Sequence, residues 1–137
     1  MKRYLLDTNT AGDYIFRRHG IFEKVSAARR AGNIIGIGIP VMAELLAGIE
    51  CSKTREKNLK IVNRNLAMFR LWPLTPKAAR EYARLFAELR RIGRPMQTID
   101  IMIAAIALTL GQCTVVSTDT DLSAVPGLSV ENWRAKP

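Results

Sequence analysis

Two carboxylic residues lie in stretches of the chain that are otherwise apolar. Glu44 is the only polar side chain of segment 40–49, PVMAELLAGI, and Asp100 is the only one of segment 99–108, IDIMIAAIAL. An unpaired carboxylate in apolar surroundings costs several kcal/mol unless it is neutralised, paired or bound to a metal ion. Both residues are therefore candidates for chemistry.

Two further acids follow apolar runs that resemble buried strands. Asp7 ends the run Tyr4–Leu6, and Asp119 comes directly after the segment 115–118, VVST. Ligands of open α/β sheets bind beyond the carboxyl ends of the strands, so both acids are expected at that edge. A single divalent-cation site shared by all four acids would account for their positions together.

Each acid also has an ordinary structural explanation. Asp7 would cap the first helix, Asp119 would be a turn residue, and Asp100 would interact with the N-terminal dipole of its helix. Glu44 would pair with an arginine from the basic stretch 53–64. These explanations are independent of one another, so all four must hold at once if the acids do not share a cation.

A set of carboxylates alone selects a particular class of metal and reaction. Hard oxygen ligands suit Mg²⁺ or Mn²⁺, and the single histidine, His19, argues against a zinc site. Such ions offset the charge that builds on phosphorus and activate water for attack. We therefore expect a Mg²⁺ or Mn²⁺ cofactor and hydrolysis of a phosphodiester.

The charge of the chain indicates a polyanionic partner. The formal net charge is +9 and the isoelectric point is about 10.2, which favours nucleic acid over a merely solvated basic surface. We expect Arg17 and Arg18, after the helix that Asp7 introduces, to contact phosphates. We expect the same of Arg94, in the loop before Asp100.

The 137 residues predict one domain, spanning 1–137. Two cysteines are too few for a disulfide framework. The longest stretch of low charge, 98–110, is too short to span a bilayer and contains Asp100. We therefore expect a cytoplasmic protein without a membrane partner.

Short apolar strands alternate with helical patterns along the chain, which predicts an α/β fold around a parallel sheet. Thr75 and Thr98 are expected to cap the helices that follow them. Strands are predicted at 3–6, 34–37, 69–72, 114–117 and around Val130. Helices are predicted at about 8–16, 22–31, from Pro40 to near Gly48, 54–68, from Pro76 to before Gly93, and 98–110.

These residues, taken in order, resemble a known family. Asp7-Thr8-Asn9 after an N-terminal strand, Glu44 early in a helix, segment 99–105 and segment 117–122 (STDTDL) follow the order seen in PIN-domain ribonucleases. The length and the ending GLSVENW are similar to VapC-type toxins of bacterial toxin–antitoxin pairs. The resemblance covers nearly the whole chain, although DTN alone is a weak motif.

The resemblance implies a three-layer α/β/α domain with a central, mainly parallel sheet. It implies a Mg²⁺- or Mn²⁺-dependent endoribonuclease, usually a homodimer, that a small antitoxin blocks. Helices 22–31 and 54–68 are expected to dock that antitoxin. By the same resemblance, the acidic site of the family corresponds to Asp7, Glu44, Asp100 and Asp119. Thr8, Asn9 and Thr118 match positions that orient ligands or water.

The sequence departs from the family pattern in two places. Segment 36–40, GIGIP, has no hydroxyl where relatives often have Ser or Thr, which predicts a missing polar contact beside Glu44. Leu122 stands where Phe is frequent, which predicts a change in packing.

Three other functions stay open. A haloacid-dehalogenase-type, Mg²⁺-dependent phosphatase also places an Asp after a strand, but it needs a second Asp two positions later, where this chain has Asn9. A non-catalytic nucleic-acid-binding module would explain the charge but not the four acids. A PIN-fold protein that has lost activity is disfavoured because all four acids are present.

Overall fold

Five short strands form one sheet in which every pair of neighbours is parallel, and a computed structural model describes this arrangement for residues 1–134. The strand order is β3-β2-β1-β4-β5. The strands are β1 (Arg3–Leu6), β2 (Ile34–Gly38), β3 (Arg70–Trp72), β4 (Cys113–Val116) and β5 (Ser129–Glu131). The predicted parallel sheet is confirmed.

Helices cover both faces of this sheet. Leu5 and Leu6 are successive residues of β1, so they point to opposite faces, and both are fully buried. The helices are α1 (Thr8–Ile15), α2 (Ile21–Arg30), α3 (Ile39–Glu50), α4 (Arg55–Leu66), α5 (Pro76–Arg91) and α6 (Thr98–Leu110), with a 3₁₀ turn at Leu122–Ala124. The fold is therefore the three-layer α/β/α arrangement that the sequence predicted.

Local signals at the helix starts explain where several helices begin. The Asp7 side chain accepts a hydrogen bond from Thr10 N at 2.9 Å and caps α1. Thr75 caps α5 in the same way, through Ala78 N at 3.0 Å, with Pro76 as the first helical residue. Each cap pairs a backbone N–H that has no partner within its helix.

The prediction that Thr98 caps α6 is wrong. Gln97 has an extended backbone and is the N-cap, whereas Thr98 is already the first helical residue. The Gln97 side chain makes no capping hydrogen bond. The helix begins here because its apolar residues, such as Ile101 and Ile103, are fully buried, and burial outweighs the weak start.

Two glycines explain why the segment before Glu44 has no hydroxyl. A Cβ at Gly36 would collide with the carbonyl oxygen of Arg70, and a Cβ at Gly38 would lie 2.8 Å from Ile106 Cδ1. Strand β3 therefore approaches Gly36 more closely than a serine or threonine would allow, whereas at Gly38 the Ile106 side chain would have to shift. Close packing therefore explains why glycine, and not serine or threonine, stands in the segment before Glu44.

The paired strands β1 and β4 are distant in sequence but aligned in register. Leu5 lies opposite Val115, and Leu6 lies opposite Val116. The residues that follow these two strands therefore emerge side by side at one edge of the sheet. Within residues 1–134, no helix is both long and apolar enough to cross a membrane.

Candidate active site

A cavity of about 520 Å³, here called the acidic pocket, gathers five carboxylates. They come from different parts of the fold: the β1–α1 junction, α3, the first turn of α6 and the loop after β4. The carboxylates belong to Asp7, Glu44, Asp100, Asp119 and Asp121. The four acids singled out in the sequence thus line one pocket, with Asp121 as a fifth.

Asp7 is the most constrained of these acids. It is only 6% exposed, and each of its oxygens has a partner: Oδ1 accepts from Thr10 N, and Oδ2 accepts from Ser117 Oγ. The capping role considered for Asp7 is therefore real, and it coexists with a place in the pocket wall. The two hydrogen bonds hold the carboxylate in one orientation.

Ser117 is a positioning residue that the sequence reasoning did not identify. Its hydroxyl donates to Asp7 and accepts a hydrogen bond from Asp119 N at 2.9 Å, and the residue is 3% exposed. Thr118, the residue predicted to orient ligands, is not among those that line the pocket. The available signal was a small hydroxyl directly after an apolar strand, two residues before Asp119.

The loop after β4 presents two acids to the pocket. Asp121 N donates to Asp119 Oδ1 at 2.9 Å, which folds the short segment between them into a turn. Asp119 therefore also serves as a turn residue, while both side chains line the pocket. Asp121 is therefore a second candidate for the metal-ligand role that was predicted for Asp119.

Asp100 responds to all of its acidic neighbours. Its pKa is raised to about 6, first by burial and then by the negative charges of Asp119, Asp7, Glu44 and Asp121. Like charges disfavour ionisation only at short range. The raised pKa therefore indicates that Asp100 lies close enough to the other four carboxylates to be affected by their charges.

Glu44 does not pair with the basic stretch 53–64. Its side chain is exposed, and none of the ion pairs found among residues 1–134 includes it. Arg55, from that stretch, contacts Glu50 at 2.6 Å instead. Glu44 is thus left facing the acidic pocket and the groove beside it.

The donor set fits a divalent cation of the Mg²⁺ type. All five candidate side chains offer hard oxygen atoms, and the buried hydroxyl of Thr8, a pocket residue, has no hydrogen-bond partner. Among residues 1–134, no three His, Cys, Asp or Glu side chains are placed so that they could hold a metal ion by themselves, so water and substrate oxygens would have to supply further ligands. Such a set suits an ion that shares its coordination with water and phosphate, as Mg²⁺ does.

Two of the predicted phosphate-binding arginines lie beside the acidic pocket. Arg94 Nη2 is 4.0 Å from Asp121 Oδ1. Arg18 lines a neighbouring groove that shares Thr8 and Glu44 with the pocket. Both side chains are more than half exposed, so both can reach a bound polyanion.

Arg17 is placed differently from its prediction as a phosphate contact. Its guanidinium donates to Tyr14 O at 2.6 Å and to Asn65 Oδ1 at 3.1 Å, and it lies 3.8 Å from the centre of the Phe22 ring. These contacts join α1, α2 and α4. They engage Nη1 of the guanidinium, so we expect Arg17 to stabilise the fold rather than to contact phosphate.

Helix α1 is also anchored near its C-terminal end. Asp13 is buried, and its carboxylate contacts Arg18 Nε at 3.4 Å and Arg134 Nε at 2.9 Å. A buried carboxylate needs such partners to offset the loss of water. The helix that begins at Asp7 is therefore fixed at both ends.

The chain matches the model of one protein family over most of its length. The match is to the PIN domain and covers residues 4–128. Among curated relatives, the Ribonuclease VapC2 of Haemophilus influenzae is 31% identical, over 97% of this chain and 99% of its own. The tRNA(fMet)-specific endonuclease VapC of Shigella flexneri is 30% identical, over 97% and 99%.

Solved structures show the same architecture. VapBC2 from Rickettsia felis, bound to a DNA fragment from its promoter, has a chain that superposes with a TM-score of 0.89. That chain is 26% identical, over 96% of this chain and 98% of its own. DNA-bound VapBC from Salmonella typhimurium gives a TM-score of 0.87 at 29% identity, over 97% and 99%.

Proposed function

This chain belongs to the PIN-domain family, and we propose that it is a VapC-type endoribonuclease that hydrolyses RNA phosphodiester bonds with a divalent metal ion. The observation that carries the proposal is the convergence of carboxylates from separate elements on one pocket. Relatives at 31% and 30% identity are a ribonuclease and a tRNA endonuclease. We treat residues 1–137 as one catalytic domain.

We assign the holding of the metal to Asp7, Glu44, Asp100 and Asp119. When bound, Mg²⁺ or Mn²⁺ would supply the positive charge that stabilises the phosphoryl transition state and activates water. The protein itself contributes by bringing these carboxylates together. Their combined negative charge favours the binding of a cation.

Neighbouring polar groups orient the carboxylates and the ligand in the pocket. Ser117 fixes the Asp7 carboxylate and the backbone N–H of Asp119 at once. Thr8 and Asn9 line the pocket and offer a hydroxyl and an amide to ligand or water. We propose that these groups hold the scissile phosphate while Arg18 and Arg94 contact its neighbours along the strand.

A phosphatase of the haloacid-dehalogenase type fits less well. That chemistry needs an Asp two positions after Asp7, and this position holds Asn9, whose amide cannot act as an acid or base. A purely binding module would have no use for carboxylates that repel the nucleic-acid backbone. Hydrolysis with a metal ion accounts for both the acids and the basic surroundings.

We further propose that a cognate antitoxin restrains the enzyme. Similar chains occur in VapBC complexes, and an active ribonuclease in the cytoplasm, where we place it, needs restraint. A lysine or arginine of the partner would suit the acidic pocket. The groove between α2 and α4, about 440 Å³ and lined by Phe22, Met68 and several arginines, is the expected docking surface for its apolar and acidic residues.

One experiment tests the catalytic proposal directly. The full chain is incubated with mixed RNA in Mg²⁺, in Mn²⁺ and in excess chelator, with a phosphomonoester substrate in parallel. We expect internal RNA cleavage that needs the metal, and no release of phosphate. Phosphate release without RNA cleavage would favour the phosphatase, and intact RNA under all conditions would overturn the proposal. Sedimentation of the same sample tests the proposed homodimer.

A further inference from the structure

A second cavity, of about 330 Å³, opens beside the acidic pocket and is mainly apolar. It lies between the C-terminal part of α5 and the start of α6. Its lining consists of Phe86, Leu89, Arg90, Pro95, Met96 and Ile101. The volume is at the lower end of the range of about 300–1,000 Å³ typical of small-ligand pockets, so it suits one flat ring rather than a packed helix.

The two cavities adjoin each other. Pro95 and Met96 line both of them, and Ile101 in the apolar cavity is the residue after Asp100 in the acidic pocket. A nucleic-acid strand with a phosphate at the carboxylates must therefore place a neighbouring nucleotide near this opening. Nothing in the chemistry of the carboxylates uses this cavity.

The walls of the apolar cavity have the composition of a base-stacking site. Phe86 is 43% exposed although it is a large aromatic residue, and Arg90 stands one helical turn further on. Unpaired bases stack on aromatic rings and on guanidinium planes. Leu89 and Ile101 are almost fully buried and form a fixed floor.

We propose that this cavity is a nucleobase subsite: it takes an unpaired base of the RNA next to the phosphate that is hydrolysed. The proposal rests on the ribonuclease function proposed above. Phe86 supplies the stacking face, and Met96 supplies the edge shared with the acidic pocket. Arg90 closes the far side and contacts the base or the next phosphate.

Tyr82 supports the position of Phe86 from behind. The two rings lie 6.1 Å apart at an interplanar angle of 28°, one helical turn from each other on α5. A stacked pair of this kind restricts the Phe86 ring while one side stays open. The ring is thus oriented before a base arrives, which lowers the cost of ordering it on binding.

The test uses the full chain with Asp7→Asn to prevent cleavage, and short single-stranded RNA of mixed sequence as the probe. A matched set of probes carries one abasic nucleotide at each position in turn. Binding is compared for Phe86→Ala, for Phe86→Tyr, which keeps the ring, and for Ile92→Ala. Ile92 is 53% exposed and does not line the cavity, so it controls for the loss of an exposed apolar side chain.

We expect Phe86→Ala to weaken binding of the intact probe by about 5- to 150-fold, the range found for lost base stacking. In the parent protein, the probe with an abasic nucleotide at one particular position should lose as much affinity as the intact probe loses on Phe86→Ala. With that abasic probe, Phe86→Ala should cause no further loss. Phe86→Tyr and Ile92→Ala should bind as the parent does, and thermal unfolding checks that all variants fold.

Equal losses for intact and all abasic probes would overturn the subsite. So would a change of oligomeric state on Phe86→Ala, because the surface would then be an interface between copies. RNA cleavage by the unmodified chain, measured in the same series, separates the two proposals. Cleavage that survives together with base-independent binding defeats the subsite alone, whereas absent cleavage defeats the ribonuclease proposal and the subsite with it.

Discussion

Ser117 and Asp7 are joined by a hydrogen bond between a buried hydroxyl and a buried carboxylate that stand 110 residues apart. The same hydroxyl accepts from Asp119 N, so one side chain joins Asp7 to the loop that carries Asp119. The geometry of the acidic pocket therefore depends on a residue that has no charge. This dependence leads to the first prediction.

Ser117→Ala should lower RNA cleavage by about tenfold or more, because misplacing a catalytic group is costly. It should also lower the free energy of unfolding by about 1–2 kcal/mol, since Asp7 and Asp119 N each lose a partner. Ser123→Ala is the control, because Ser123 is exposed in the 3₁₀ turn. Cleavage rates and denaturant unfolding measure both effects; equal behaviour of the two variants would contradict a positioning role.

Asp100→Asn should separate catalysis from stability. We expect cleavage to be abolished, while the free energy of unfolding in chelator at pH 7.5 rises by roughly 1–2 kcal/mol, after allowance for partial solvent screening. The pKa of Asp100 is raised to about 6. The folded state therefore binds this proton more tightly than the unfolded state and is stabilised as the pH falls below about 6.

The pH dependence supplies the control for that prediction. The gain from Asp100→Asn should be largest above pH 6 and should shrink towards pH 4, where the natural carboxyl is itself protonated in the folded chain. Thermal unfolding of both proteins across this range, without metal, measures the difference. A gain that is constant with pH would show that repulsion among the carboxylates is not its cause.

Asp119 and Asp121 can be distinguished by parallel substitution. Asp119 accepts a backbone hydrogen bond and touches the Ser117 network, whereas Asp121 is exposed and close to Arg94. We expect Asp119→Asn to reduce cleavage by about 100-fold or more, and Asp121→Asn to reduce it by less than tenfold. Single-turnover cleavage in Mg²⁺ measures both; the reverse order would move the metal-holding role to Asp121.

Substitution of the three arginines should have different effects, because Arg18 and Arg94 lie beside the acidic pocket whereas Arg17 contacts other helices. Arg94→Ala and Arg18→Ala should each weaken RNA binding and reduce the slope of log affinity against log salt by about 1. Arg17→Ala should leave that slope unchanged and instead destabilise the fold by about 1–3 kcal/mol, because its hydrogen bonds and its ring contact are lost. Salt titrations of an uncleavable RNA, combined with thermal unfolding, test all three variants.

Much of this architecture is visible in the sequence because the signals are local. Buried strands of a parallel sheet appear as short apolar runs, and Pro76 after Thr75 marks the start of a helix without reference to the rest of the chain. The acids could be placed at one edge of the sheet because topology alone puts strand ends and helix starts there.

The parts that were not predicted depend on contacts between distant segments. Arg17 reaches Asn65, 48 residues away, and Ser117 reaches Asp7, 110 residues away, so neither partner could be identified from the neighbouring sequence. Glu44 lies in an apolar segment, yet one face of α3 is open to the pocket and exposes it. Local hydropathy does not specify which face of a helix is covered.

The pairing of β1 with β4 has a consequence for the synthesis of this protein. Asp7 is made 110 residues before its partner Ser117, and Asp119 follows Ser117. Long-range parallel pairing forms only when both strands are present. A ribosome that stalls before β4 (Cys113–Val116) would therefore release a fragment without a complete acidic pocket, because the site cannot assemble until β4 and the loop after it have been made.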